Sequence, residues 1–113
     1  MGFLVAPRGQ RERLLREELD RAVEVLKNRG VEKIILFGSL AAGEVGPGSD
    51  IDLLVVERTD KSFADRLEAV YSALMPRMAM DVLVYTPEEM HRLSSDRAFV
   101  RLALKRGRVL YER

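Results

Sequence analysis

Three aspartates stand where packing alone gives them little reason to be. Asp50 and Asp52 flank Ile51 in the run Asp-Ile-Asp-Leu-Leu-Val-Val, and in an extended chain side chains two residues apart leave the same face, here about 6.6 Å apart along the backbone. Asp81 interrupts the otherwise apolar stretch Met78 to Tyr85. Paired carboxylates at the exposed N-terminal end of a buried strand make an oxygen-lined site on a rigid element, where a ligand is held most accurately. If a neighbouring strand brings Asp81 against the pair, three like charges repel strongly unless cations neutralise them. Hard oxygen ligands of this kind suit magnesium better than zinc. The composition agrees. There is no cysteine, so disulfides, thiolate metal sites and a cysteine nucleophile are excluded, and the single histidine, His91, cannot build a histidine zinc site. On a short polar segment without a second histidine, His91 reads as a solvated side chain.

Upstream, Phe37-Gly38-Ser39 ends an apolar run at a turn. Backbone amides freed at such a turn, together with a serine hydroxyl, can cradle phosphate oxygens, and glycine lets the ligand come close. Between Gly38 and Ser49 the glycines and Pro47 break regular structure, although Leu40 to Ala42 could form one helical turn.

The elements that must position these groups can be read from periodicity. Apolar Leu14, Leu15, Leu19, Ala22, Val23 and Leu26 predict an amphipathic helix from Pro7 to Arg29, stopped by Gly30. Val31 to Phe37 predicts a central strand, because Ile34, Ile35 and Leu36 are apolar on both faces. Asp50 to Glu57 is a second strand, Ser62 to Met75 a helix ending at Pro76, and Met78 to Tyr85 a third strand. Thr86-Pro87-Glu88-Glu89 supplies a capping residue, a proline at the first helical position and a glutamate at the third, so a short helix should follow to about Leu93. A last helix from Asp96 to Arg106, with Phe99, Leu102 and Ala103 on one side, precedes a small strand at Val109 to Tyr111. Only a glycine-rich loop joins the first two strands, so they are expected to pair antiparallel in a mixed sheet. The fold class is α/β or α+β, in one domain over residues 1–113. Met75, Met78 and Met80 read as gap-filling core residues.

The spacing then supports a family resemblance. Gly38-Ser39, ten intervening residues and Asp50-Ile51-Asp52, with Ser49 just before, resemble the signature of polymerase β-like nucleotidyltransferases. The whole chain, through Asp81-Val82-Leu83-Val84-Tyr85-Thr86-Pro87-Glu88-Glu89, is most similar to minimal nucleotidyltransferases. Those are short stand-alone domains, often antitoxins encoded beside a HEPN-domain toxin. The resemblance implies that Gly38 and Ser39, with Ser49, bind the nucleoside triphosphate, that Asp50 and Asp52 bind two magnesium ions, and that Asp81 binds the catalytic ion and helps activate the acceptor hydroxyl. Two ions about 4 Å apart would lower the pKa of that hydroxyl and stabilise the leaving pyrophosphate. The implied activity is transfer of AMP from ATP, plausibly to a hydroxyl of a HEPN-type protein. The chain departs from the pattern at Leu40 and Ala42, where many relatives carry arginines that would neutralise and orient phosphates.

That departure keeps two alternatives open. One is a binding module that neutralises a partner protein by contact with little catalysis. The other is a small-molecule nucleotidyltransferase resembling the aminoglycoside-modifying enzymes, for which a chain this short would supply an acceptor pocket only as a homo-oligomer. Nineteen basic against eighteen acidic residues give no strong field toward nucleic acid or an anionic membrane. Arg97, Arg101, Lys105, Arg106 and Arg108 form a basic run without interleaved aromatic residues, most simply a solvated face. The apolar start, Met1 to Pro7, is too short for a signal peptide and no later run could span a bilayer, so the expected location is the cytoplasm.

Overall fold

The structure is a computed structural model that describes residues 8–113. The reading of Met1 to Pro7, including Pro7 as a helix start, lies outside the described residues, as does the side chain of Phe99.

Helix α1 (Arg8–Arg29) buries Leu15, Leu19, Ala22 and Leu26, spaced four, three and four apart and so forming one stripe. Leu14 falls outside that stripe and is 38% exposed. The chain then runs β1 (Lys33–Phe37), α2 (Gly38–Ala42), β2 (Ile51–Val56), α3 (Phe63–Leu74), β3 (Met80–Tyr85), α4 (Pro87–Asp96), α5 (Ala98–Arg106) and β4 (Arg108–Glu112). Four strands form one sheet in the order β3-β2-β1-β4. β1 pairs antiparallel with β2 and β4, while β2 and β3, joined through α3, are parallel. The sheet is therefore mixed and β1 central, as the sequence predicts, with Ile34, Ile35 and Leu36 all buried.

Alternation divides the sheet into two unequal faces. Ile34, Leu36, Ile51, Leu53, Val55, Met80, Val82 and Val84 pack with the stripe of α1 and with Val70 and Leu74 of α3. The opposite face holds the smaller cluster of Ile35, Leu54 and Val56, covered by Met90 of α4 and Leu104 of α5. α5 turns into β4 at Gly107, where a side chain would collide with the Ala103 carbonyl and with Ile35 of β1.

The outer edge of β3 is closed by side chains of α3. The Tyr71 hydroxyl accepts a hydrogen bond from Val82 N–H (2.9 Å) and donates to the Met80 carbonyl (3.1 Å). Buried Arg66 donates to the Val84 carbonyl (3.4 Å), to the Lys61 carbonyl (2.9 Å) and to both carboxylate oxygens of Glu89 (2.6 and 3.2 Å). Glu89 also completes the capping box with Thr86 predicted from the sequence.

Several expectations shift. The helix after Gly38 starts at the glycine itself, and α4 continues to Asp96 rather than ending near Leu93. Met80 is buried, but Met75 is 74% exposed, because it ends α3 in the left-handed conformation (φ 43°) and so points away from the core. On α5 the residues that turn inward are Val100 and Ala103, while Leu102 is 47% exposed.

Candidate active site

The three aspartates meet on the smaller face. Asp52 of β2 is the register partner of Asp81 on β3 and of Phe37 on β1. Asp50 lies two residues upstream, just outside the strand rather than within it. Burial, then the charge of Asp81, then that of Asp50 push the Asp52 carboxyl up to about 6. Each cause disfavours the ionised form. Among the described residues no lysine or arginine forms an ion pair with any of the three. Nor is any group of three or more His, Asp or Glu side chains among the described residues placed to hold a metal ion by itself.

The glycine of the Gly-Ser pair is required for two reasons. Gly38 has φ +75°, and a Cβ there would overlap the Asp52 carboxylate. The turn that opens α2 thus lies directly against the central acid.

The ten residues between Ser39 and Asp50 close a loop held by Ser49. Its buried hydroxyl accepts from Ser39 Oγ (3.0 Å) and from Gly46 N–H (2.8 Å). Its carbonyl accepts from Arg11 of α1 (2.9 Å), and Ile51 N–H donates to the Ala79 carbonyl (3.1 Å). The hydroxyl of Ser49 is thus engaged inside the loop, where it fixes Ser39 relative to the aspartates. Leu40 is fully buried, so that position faces the core.

A cleft of about 400 Å³ opens between α2 and α5 beside this turn, lined by Phe37, Ser39, Ala42, Leu102, Ala103 and Arg106 among others. Sequence reasoning did not single out Arg11, Tyr71 or Phe37 as site residues, and it placed Arg106 in a solvated basic run. Arg11 and Tyr71 act through backbone atoms far away in sequence, which no local pattern encodes. Arg106 carried a signal only in following an apolar helix face.

A family model for a nucleotidyltransferase domain matches residues 17–111. The chain belongs to the nucleotidyltransferase family. The nucleotidyltransferase is 35% identical over 86 residues, 75% of its length and 84% of the relative's, to a protein of Methanocaldococcus jannaschii provisionally named a protein adenylyltransferase. It is 37% identical over 82 residues to the poly(A) polymerase PAPa of Candida albicans; this match covers 66% of the chain but only 15% of the polymerase. Its fold matches the crystal structure of a provisionally assigned nucleotidyltransferase from Sulfolobus solfataricus, with a TM-score of 0.66, 22% identity, and 99% of this chain and 94% of that one covered. These relationships make the chain an enzyme of nucleotidyl transfer, on a mixed sheet with packed helices.

Proposed function

We propose that this nucleotidyltransferase moves AMP from ATP to a hydroxyl group of a protein, using Asp50, Asp52 and Asp81 to hold magnesium and Gly38 with Ser39 to hold the triphosphate. The observation that carries the proposal is the register pairing of Asp52 with Asp81, close to Asp50, with no lysine or arginine paired to them among the described residues. A carboxyl pushed up to about 6 by burial, and further by the charges of Asp81 and Asp50, is a group that gains from a bound divalent cation. Magnesium commonly binds through one or two carboxylates plus water and substrate phosphates, so ATP would complete a site that the aspartates do not form alone. When bound, magnesium supplies Lewis acidity that lowers the pKa of the attacking hydroxyl and offsets charge on pyrophosphate.

The protein groups have distinct tasks. Ser39, fixed through Ser49, presents its end of α2 to the phosphates. The acceptor oxygen forms a bond to the α-phosphorus, the bond from that phosphorus to the pyrophosphate oxygen breaks, and pyrophosphate leaves. The exposed Asp81 carboxylate takes the proton of the acceptor hydroxyl. AMP and a protein acceptor are supported by the name of the Methanocaldococcus jannaschii relative. A HEPN-type toxin as the acceptor, with this chain as its antitoxin, rests on the resemblance to minimal nucleotidyltransferases.

A second reading, contact-only neutralisation, draws support from α2, whose residues Leu40 and Ala42 place no cation near the phosphates. One experiment separates the two. Parent protein and the Asp50→Asn/Asp52→Asn variant are incubated with magnesium, α-labelled ATP and a HEPN-type protein as acceptor. Label on the partner with the parent alone is the expected result. Absence of transfer by a folded parent, with neutralisation kept by the variant, would falsify the enzymatic reading in favour of the contact module.

A further inference from the structure

The Gly-Ser turn accounts for one side of the cleft between α2 and α5, next to the aspartates; the other side has no role yet. α2 reads Gly-Ser-Leu-Ala-Ala and brings no positive charge to the cleft, with Leu40 committed to the core. On the opposite wall stands Arg106, in the last turn of α5 and beside Leu102 and Ala103. Arg106 is exposed and makes no hydrogen bond or ion pair among the described residues. Glu44, the other charged residue of the lining, is also exposed and does not pair with it. The cleft leads to the reacting centre, because Phe37 in its lining is the cross-strand partner of Asp52 and Gly38 touches the Asp52 carboxylate.

A nucleoside triphosphate placed on Ser39 extends three phosphates and a flat aromatic base, whose faces can pack on apolar side chains. The cleft offers one free guanidinium and a mainly apolar wall, which suits that ligand and no simple cation. We infer that Arg106 is the polyphosphate-binding cation of the site, forming a charge-assisted fork to phosphate oxygens across the cleft from Ser39. The positive charge that α2 lacks thus comes from the C-terminal end of a helix far along the chain. A guanidinium there binds substrate, whereas the neighbouring Arg101 is occupied with the Ser95 carbonyl (2.7 Å) and does not line the cleft.

This inference rests on the nucleotidyl-transfer reading above, and its test keeps the two apart. Magnesium-ATP is titrated into parent, Arg106→Ala, Arg106→Lys and Arg101→Ala proteins at low and high salt, with thermal melts confirming that each is folded. Loss of a charge-assisted bond predicts that Arg106→Ala weakens binding on the order of tenfold to a hundredfold. It also predicts a shallower salt dependence, partial recovery in Arg106→Lys, and parent-like binding in Arg101→Ala. Unchanged affinity in Arg106→Ala overturns the inference alone. So does a loss with an unaltered salt dependence and no recovery by lysine, which would mark a packing role. No binding by the folded parent overturns both this inference and the nucleotide site itself.

Discussion

Asp52 and Asp81 are register partners across the parallel pair β2–β3, so their carboxylates leave the sheet side by side on the same face, on strands about 4.8 Å apart. Neither can move away without breaking a ladder of main-chain hydrogen bonds. The repulsion between them is built into the sheet.

The first expectation concerns pH and metal. In metal-free protein the folded state keeps a proton on Asp52 up to about pH 6, against an ordinary carboxyl value of 3.8. Folding is therefore favoured by protonation, and stability falls as pH rises from about 4 through 6, with the penalty complete above that. Allowing for solvent screening of a half-buried group, the penalty at neutral pH is about 1 to 2 kcal/mol. Asp52→Asn should accordingly melt higher than the parent at pH 7.5 in chelator, with the difference closing as pH falls below about 4. Magnesium should raise the melting temperature of the parent and leave the variant unmoved. A variant less stable than the parent at pH 7.5 would contradict the assigned cause.

Gly38→Ala tests the contact between the turn and the acid. The substitution puts a Cβ into a left-handed position (φ +75°) and against the Asp52 carboxylate. The backbone strain is about 1 to 2 kcal/mol, which a folded domain can absorb. Displacement of Asp52 is more damaging, and nucleotidyl transfer should fall roughly a hundredfold. Wild-type rates in a folded Gly38→Ala protein would show that the close approach is incidental.

Tyr71→Phe removes one oxygen that serves two main-chain groups on either side of Asp81. Leaving both without their partner should cost about 1 to 3 kcal/mol, seen as a lower denaturant midpoint. Hydrogen exchange should locate the effect, with the Val82 amide exchanging faster while amides of β1 keep their protection. Uniform loss of protection would mean that Tyr71 supports the whole core instead.

Arg66→Ala should destabilise more, by about 2 to 3 kcal/mol, because a buried guanidinium with four acceptors is lost and Glu89 is left without its main partner. The Arg66 hydrogen bond holds the Glu89 carboxyl below its ordinary 4.5, so its contribution is present above that value and fades as pH falls through the folded one. The gap between parent and Arg66→Ala in urea melts should thus narrow in acid. A gap independent of pH would assign the loss to packing.

Periodicity was enough to read the strands, the central place of β1 and the shared face of Asp50 and Asp52, because alternation and apolar runs are local signals. The antiparallel pairing of β1 and β2 followed from the short glycine-rich connection. What could not be read was set by distant contacts. Nothing near Ser49 in the sequence announces that its hydroxyl would tie Ser39 to the loop, and nothing near Tyr71 says that it would brace the strand carrying Asp81. Glycines that looked like breakers hid the start of α2, since Gly38 enters the helix through a left-handed φ. Met75 and Leu102 misled for a related reason: hydrophobic character marks what can be buried, while the end of α3 and the rim of a cleft decided where these two went.

The hydroxyl of Tyr71 and the guanidinium of Arg66 occupy main-chain groups that β3 would otherwise offer to another strand. The same two side chains hold the strand that aims Asp81. Shielding a free sheet edge and fixing the strand that carries Asp81 are therefore the work of the same two side chains, and a substitution at either position would loosen both at once.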